Sequence, residues 1–504
     1  MQSLQSLPGR TSTVNGACMT TSFGSRIPRP YQVLSLTAVA TFLVSLDVSI
    51  VVVAKRTIEA DLGGGSLITW VFSAYAIAYA AGLLTAGRFA DVYGRKRSFL
   101  RGLFIFSVGS LLCGISPTTW VLILARIIQA MGGAQLTPAS IALVLPEFPV
   151  EKRTQAIAIW GATGGLAAAL GPSVGGILVD LLGWRSLFFI NIPFTVVTIL
   201  LGRKILHESK DPNAQRQVDY PSVVFGFTGV ALVVLGISQS EAWGWTDTKT
   251  LGSIALGIIL VALFVQRCRV VTSPLLDLKL FRLPFVLAAN LSGLLFSVGF
   301  IGMWLLNTFW LQAVWGYGVA QSGLATMPGP AMAALVAPFA GKYAHKFGHA
   351  RILLAGSIML SIGTFGLTTF IPIEPSYLTH YLPWMILTGF GVGLSISTLS
   401  SSATAYLKPT QFAMGSALNT TARQIGTALG AALSLAIAAP ALGRIEAARR
   451  AGTSLDLVDV KEMHVAWIMN GFVYLVAGIT MITIFRKPTE AQMDDARAAV
   501  KFED

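Results

Sequence analysis

GRFADVYGRKR, at residues 87–97, joins two long apolar stretches of the chain and returns in altered form as GKYAHKFGHAR at residues 341–351. Both copies have glycine at the first and eighth positions and carry several basic residues. Many membrane transporters contain internal repeats of this kind and place their binding site where the repeats meet. The sequence therefore predicts two related halves.

The composition indicates a membrane protein. Hydrophobic residues make up 54% of the 504 residues and charged residues only 12%, whereas an ordinary soluble domain has about 25% charged residues. The net charge of +13 does not indicate nucleic-acid binding, because the basic residues form short clusters between apolar segments. We therefore expect an all-α membrane protein with no nucleic-acid partner.

Fourteen stretches have the length and apolar character of transmembrane helices. They lie near residues 31–54, 67–87, 98–116, 119–144, 155–180, 186–206, 221–240, 250–268, 285–312, 321–341, 351–371, 381–404, 413–440 and 464–485. Together with the repeat, they predict two six-helix bundles with two helices inserted between them. The corresponding segments are a flexible tail (1–30), the first bundle (31–206), the central insertion with its loops (207–284), the second bundle (285–485) and a second tail (486–504).

Basic residues are distributed unevenly between the two sides of this arrangement. Of the 36 Lys and Arg, 26 lie on the side that holds both tails, 8 lie on the other side, and Arg126 and Arg423 lie inside helices. Cytoplasmic loops carry the excess of Lys and Arg in membrane proteins. We therefore expect a multi-pass protein of the cell membrane with both termini in the cytoplasm.

Asp47 is a single carboxylate inside the first apolar stretch, in the sequence Leu46-Asp47-Val48-Ser49-Ile50. A charged side chain near the bilayer centre costs about 2.5–3.5 kcal/mol on insertion scales, so it needs a partner or a function. Arg126, in the fourth stretch, lies at the same depth, since each is roughly 12 Å from the outer end of its helix. A pair with Arg126 would favour the ionised carboxylate, and an apolar environment without it would favour the protonated form. We expect either proton coupling at Asp47 and Arg126 or a static ion pair.

Taken in order along residues 31–485, these features resemble the fourteen-helix drug/proton antiporters of the major facilitator superfamily. The loop at residues 87–97 is similar to that superfamily's signature between helices two and three, which implies a cytoplasmic gate; the alternative is a loop that only fixes the topology. Asp91 can cap the helix that follows, and the basic cluster can contact anionic lipid. The gate residues on this resemblance are Gly87, Asp91, Gly94, Arg95 and Lys96.

The fifth stretch contains GATGG at residues 161–165 and GPSVGG at residues 171–176, which resemble the motif of the antiporter branch. Small residues at this spacing allow close helix packing, and proline permits a bend, so packing alone is the alternative explanation. The resemblance implies export rather than uptake. The antiporter-motif residues are Gly171, Pro172, Gly175 and Gly176.

Two further stretches also resemble the family. Residues 126–130, RIIQA, are similar to its Arg-x-x-Gln-Gly motif with Ala130 in place of glycine, and residues 419–430 resemble its thirteenth helix. The sequence leaves open whether Arg423 faces a cavity, extends toward the interface or binds helix carbonyls. The candidate cavity residues are Gln129, Asn419, Arg423 and Gln424.

The chain also departs from the family pattern. Lys55 and Arg56 stand where the family has Leu-Pro, so the first helix lacks its usual stop, and the core of helices nine to fourteen has no second acidic residue. Broad export of dications is therefore not expected. Aromatic and methionine residues of the second half are candidates for an apolar pocket or for ordinary core: Trp304, Phe309, Trp310, Met327, Trp384 and Phe390.

The resemblance implies a proton-coupled antiporter that exports amphipathic organic compounds or drugs by alternating access. Export of one endogenous natural product, and uptake or uniport of a metabolite, remain alternatives on the same fold. An enzyme is not expected, because the chain has no P-loop, no Gly-x-Ser-x-Gly, no His cluster and no paired acids. We expect no cofactor and no metal, a proton gradient as the driving force, lipid, protons and a small organic substrate as partners, and a functional monomer.

Overall fold

The computed structural model describes residues 27–209, 219–272 and 274–487. The described part of the chain contains eighteen α-helices and no strand. In chain order, α1 to α18 are Arg29–Val53, Lys55–Leu62, Trp70–Tyr93, Arg95–Gly114, Thr119–Val144, Val150–Leu182, Ser186–Phe189, Asn191–Ile205, Tyr220–Ser238, Ser240–Trp243, Thr248–Val270, Pro284–Phe309, Val319–Thr326, Pro328–Phe347, His349–Phe370, Leu382–Thr404, Phe412–Ala451 and Lys461–Ile484. Most of the predicted tails, at 1–26 and 488–504, and residues 210–218 of the predicted insertion lie outside the described residues.

Long helices occupy all fourteen predicted stretches. Thirteen helical segments of the described residues are long and apolar enough to cross a membrane. The remaining predicted span, 155–180, lies within the 33-residue helix α6. The chain is therefore a multi-pass, all-α membrane protein, as the composition predicted.

Two helix ends differ from the prediction. α17 continues for eleven residues beyond 440, the predicted end, because the segment after Pro440 is rich in Ala and Arg, which favour helix. After α1 the chain turns at Ala54 and immediately forms the short helix α2, where Ile58 N–H bonds to Ala54 O at 2.9 Å. Because Lys55 and Arg56 replace the helix-ending Leu-Pro of the family, this segment is helical.

Helices within each half pack through glycines. In the first half α1 lies along α6, and α5 lies between α3 and α4. In the second half α12 packs on α17 and α18, while α16 packs on α14 and α15. A side chain at Gly426 or Gly430 of α17 would collide with the backbone of α12, so the close approach of these helices requires glycine.

α9 and α11 form an antiparallel pair that contacts α3 and α17. Gly229 and Gly257 face each other, and a Cβ on either residue would lie about 3 Å from the carbonyl oxygen of the other. Asp219 precedes α9 and accepts two hydrogen bonds of 2.7 Å from Arg267 in the last turn of α11. These contacts fix the pair at both its middle and one end.

The two halves meet mainly along two helix pairs, α3 with α17 and α6 with α14, and α16 also contacts α6. The repeated glycines lie at these contacts: a Cβ at Gly87 would lie 2.8 Å from Ala417 Cβ, and one at Gly341 would lie 2.8 Å from Ala158 Cβ. Both contacts occur at the end of the protein that carries the loops at 87–97 and 341–351, which we call the basic end. The two copies of the repeat therefore occupy equivalent places in the fold.

Candidate functional site

Asp47 lies fully buried between α1, α5 and α8. Its Oδ2 forms an ion pair with Arg126 Nη1. Its Oδ1 accepts hydrogen bonds from Gln129 Nε2 at 2.8 Å and from Asn191 Nδ2 at 3.1 Å. Arg126 and Gln129 are three residues apart on α5, so both reach the carboxylate from one helix face.

Arg126 has further contacts that hold its guanidinium in place. Nη1 also donates to Gln129 Oε1 at 2.7 Å, and Nε donates to Val71 O at 3.4 Å. The guanidinium lies over the Tyr75 ring, 4.0 Å from its centroid. A buried ion pair is tolerated only when its remaining polar atoms are also satisfied, and this cluster meets most of that requirement.

Asn191 and Ser110 complete the cluster and were not among the predicted site residues. Asn191 Nδ2 donates to Ser110 Oγ at 3.0 Å, and Ser110 Oγ donates to Phe188 O at 2.8 Å. Asn191 is the first residue of α8 and is fully buried, while its Oδ1 has no hydrogen-bond partner. In the sequence, the only signal for this contact was an asparagine within the apolar stretch 186–206.

The cluster links helices α1, α4, α5 and α8 through one titratable acid. Protonation of Asp47 would remove its charge and release Arg126 from the ion pair. The described residues contain no group of three or more His, Cys, Asp or Glu side chains that could hold a metal ion. The cluster thus joins the packing of four helices to the charge of one carboxylate.

The predicted gate residues lie at the basic end. Asp91 and Arg95 are both buried, and Arg95 Nη2 donates to Asp91 Oδ1 at 3.4 Å. In the first turn of α4, the N–H groups of Lys96 and Arg97 donate to the Glu208 carboxylate at 3.0 Å and 3.1 Å. Glu208 is 112 residues from Lys96, so local sequence gave no indication of this cap.

Gly94 and Lys96 hold the same loop against the end of α8 and the chain that follows it. Gly94 has φ of 107°, and a Cβ there would collide with the Glu208 carboxylate. Lys96 Nζ donates to Arg203 O at 2.8 Å, and Arg95 N–H donates to Ser209 O at 2.9 Å. The gate loop is therefore fixed to its own half, while Gly87 contacts the other half.

The antiporter-motif glycines of α6 face different surroundings. A Cβ at Gly171 would collide with Ser49, and one at Gly175 would lie 3.2 Å from Ile50 Cα, so both residues pack against α1. Gly176 has open space around it. The side chain of Pro172 lies outside the described residues. Gly171 and Gly175 thus position the segment of α1 that carries Asp47.

The four predicted cavity residues occupy two places. Gln129 is fully buried in the Asp47 cluster. Asn419 and Arg423 both point toward Gly293 of α12, where a Cβ would lie 3.4 Å from Asn419 Nδ2 and 3.3 Å from Arg423 Cγ. Gln424, on the next position of α17, is partly exposed.

An apolar pocket lies between α6 of the first half and α12, α13, α14 and α16 of the second. α12 contributes Phe300, Met303, Trp304 and Asn307 to its lining. Of the six aromatic and methionine candidates, Trp304 is the one that lines this pocket. Trp310 instead is fully buried against His464 and Trp467.

Another ion pair lies at the opposite end from the gate loop. Asp61 of α2 accepts hydrogen bonds from Arg185 Nη1 at 2.5 Å and from Trp184 Nε1 at 3.0 Å. The hydrogen bond from Arg185, with that from Trp184, holds the pKa of Asp61 below its usual 3.8. This contact ties α2 to the segment between α6 and α7.

A repeated helical bundle with buried carboxylate–guanidinium pairs and an apolar pocket between its halves has the architecture of a membrane transporter. The family model for the Major Facilitator Superfamily matches residues 37–431 and 301–502. The chain belongs to the Major Facilitator Superfamily, whose members move small organic substrates across membranes.

Curated relatives match most of the chain. It is 30% identical to the tetracenomycin C resistance and export protein of Streptomyces glaucescens, over 89% of this chain and 83% of that protein. It is 32% identical to a multidrug resistance protein B homolog of Mycobacterium tuberculosis, over 78% of this chain and 73% of that protein. The crystal structure of the human organic anion transporter MFSD10 matches with a TM-score of 0.65 and 13% identity, covering 90% of this chain and all of the other, and shows the fold alone.

Proposed function

We propose that the protein is a proton-coupled antiporter that exports amphipathic organic compounds across the cell membrane by alternating access. The observation that carries this proposal is the Asp47 cluster, where a single buried acid joins α1 to α5 and α8. Binding a proton changes the charge at the junction of these helices, so it can bias one arrangement of the halves over another. The two relatives are a named export protein and a multidrug resistance protein, which supports export as the direction.

The proposed cycle uses the two bundles, 31–206 and 285–485, as moving units. Asp47 takes up a proton from the outer side and releases it to the cytoplasm, where both termini lie. The apolar pocket at Trp304 binds the apolar part of the substrate. The contacts at Gly87 and Gly341 close the basic end while the pocket is open to the outside.

Transport into inside-out membrane vesicles under an imposed pH gradient tests the proposal. A panel of fluorescent amphipathic dyes is offered to the native chain, to Asp47→Asn and to Asp180→Asn. Asp180 is the matched control, because it is an exposed aspartate of α6 outside the cluster. The proposal predicts gradient-driven dye uptake by the native chain and Asp180→Asn, and none by Asp47→Asn.

Three results would change this conclusion. Undiminished gradient-driven uptake by Asp47→Asn would contradict proton coupling at Asp47. Uptake of one dye class alone would favour a dedicated exporter over a multidrug exporter. Dye movement in the direction of the proton gradient would overturn antiport and favour uptake.

A further inference from the structure

Arg423 is a cation in the middle of the membrane-spanning region, and no anion of the described residues forms an ion pair with it. It lies eleven residues along α17 from Phe412, about 16 Å, which is half of a hydrocarbon core roughly 30 Å thick. The side chain is partly buried, and its Nε is buried without a hydrogen-bond partner. Tyr79 is the only ionisable side chain of the described residues that acts on it electrostatically.

The other central charges do not compensate Arg423. Asp47 forms an ion pair with Arg126, and the pair has no net charge and lies within the first half. Tyr79 is a neutral phenol whose hydroxyl is hydrogen-bonded to Thr137 Oγ1 at 2.7 Å. A charged side chain inside a membrane protein is normally paired. The positive charge of Arg423 therefore favours binding of an anion that does not belong to the described residues.

The surroundings of Arg423 are those of a binding position. α17 packs on α12 of its own half and on α3 of the first half, and Arg423 faces α12 at Gly293. Gly293 and Phe300 are seven residues apart on α12, so they share one helix face and are separated by about 10.5 Å. Phe300 lines the apolar pocket, and the pocket wall therefore continues along α12 toward the guanidinium.

We propose that Arg423 binds the acidic group of the substrate, and that the preferred substrates are amphipathic aromatic acids whose ring system occupies the pocket at Phe300 and Trp304. A guanidinium binds a carboxylate through two parallel hydrogen bonds, which gives both affinity and orientation. The uncompensated positive charge disfavours cationic substrates at the same place. This inference rests on the proposed function, because it assigns a substrate class to the same transport pathway.

Binding of three matched probes tests the assignment: 4-(1-pyrenyl)butyrate, its uncharged carboxamide, and the corresponding trimethylammonium cation. Affinities are measured for the full chain in lipid nanodiscs at one pH by tryptophan-to-pyrene energy transfer, with empty nanodiscs subtracted. The native chain is expected to bind the carboxylate roughly tenfold more tightly than the carboxamide, and the cation most weakly. Arg423→Gln is expected to remove the preference, and Arg423→Lys to retain part of it.

Thr427→Ala is the matched control on the same helix. Thr427 lies one turn from Arg423 and its hydroxyl bonds to the carbonyl of Arg423, so the substitution leaves the guanidinium unchanged. It should keep the full preference for the carboxylate. If Arg423→Gln fails to fold, Gly293→Ala replaces it in the test. The added Cβ would crowd the aliphatic part of the Arg423 side chain and should lower the preference for the carboxylate.

Equal affinity of the native chain for carboxylate and carboxamide would overturn the inference, as would a preference that survives Arg423→Gln or, in its place, Gly293→Ala. Binding is measured without a pH gradient, so the outcome is independent of proton coupling. A carboxylate preference that depends on Arg423, together with transport that is unchanged in Asp47→Asn, would support the anion site and reject the proposed proton coupling. The reverse pattern would reject the anion site alone.

Discussion

Asp47 receives hydrogen bonds from Arg126 and Gln129 on α5 and from Asn191 on α8. The first two donors come from one helix face, whereas Asn191 belongs to a separate helix. Asn191 is therefore a donor that can be removed without changing the pair of Asp47 with Arg126.

Asn191→Leu should shift transport to higher pH. The substitution removes a donor that stabilises the ionised form of Asp47, and a hydrogen bond to a charged group contributes about 1.5–3 kcal/mol. The pH of half-maximal gradient-driven transport should therefore rise. The measurement is the pH profile of dye transport in vesicles.

Asn470→Leu is the control for that experiment. Asn470 is also fully buried, but it lies on α18 and donates to Ser434, far from Asp47 in the chain. Its pH profile should keep the native midpoint. An unshifted midpoint in Asn191→Leu, with the protein present in the membrane, would show that Asn191 does not influence proton binding.

At the scale of helices, the glycines of α6 act through α1. Gly171 packs against Ser49, two residues from Asp47, while Gly176 faces open space. Gly171→Ala should displace α1 and lower transport at least tenfold, since a Cβ there would collide with Ser49. Gly176→Ala should transport as the native chain does, and initial rates in vesicles compare the two.

These two substitutions distinguish two explanations for a loss of transport: contact of the glycine with α1, and its position in the motif. Both glycines belong to the stretch that resembles the antiporter motif, so the motif alone predicts equal sensitivity. Equal loss of transport in both variants would show that α6 acts through something other than its contact with α1. Membrane levels of each variant, measured by immunoblot, exclude a simple loss of protein.

The α9–α11 pair should respond to acid through Asp219. The hydrogen bonds from Arg267 hold the pKa of Asp219 below its ordinary 3.8. Because the folded pKa is lowered, the stabilisation is complete above pH 3.8 and is lost as the pH falls through the folded pKa. Asp219→Asn should lower the melting temperature by about 1–2 °C at neutral pH and by less as the pH falls below 3.8.

Thermal unfolding of the purified protein between pH 3 and pH 7 provides the comparison. The difference between the native chain and Asp219→Asn should be constant above pH 5 and should shrink toward pH 3. A difference that persists unchanged at the lowest pH would mean that the ion pair with Arg267 is not its source.

For the molecule as a whole, the two repeated glycines are expected to set the balance between conformations. Gly341→Ala inserts a Cβ that would lie 3.0 Å from Thr154 O on α6, so it should weaken the closed basic end. Spin labels at Arg101 on α4 and Lys346 on α14 report the separation of the halves there. We expect a larger fraction of long distances than in the native chain.

Gly252→Ala is the control for this shift, because no atom lies within 4 Å of a Cβ at Gly252 on α11. It should leave the distance distribution unchanged. An unchanged distribution in Gly341→Ala would show that the contact between α6 and α14 does not limit opening of the basic end.

The sequence predicted those features that depend on length, hydropathy and depth. Apolar length located the membrane helices, and residue counting placed Asp47 and Arg126 at one level, where the structure brings them together. Depth does not reveal which way a helix face turns, because rotation is set by packing. Asn191 at the carboxylate, Glu208 at the start of α4 and the missing partner of Arg423 therefore became visible only in three dimensions.

Proton movement driven by substrate tests the central claim most directly. Liposomes containing the purified chain and an internal pH indicator receive, from outside, a substrate identified in the vesicle assay. If substrate and proton exchange through Asp47, the interior should become more alkaline with the native chain and with Asp180→Asn, and should not change with Asp47→Asn. Substrate-driven alkalinisation that persists in Asp47→Asn would contradict the account.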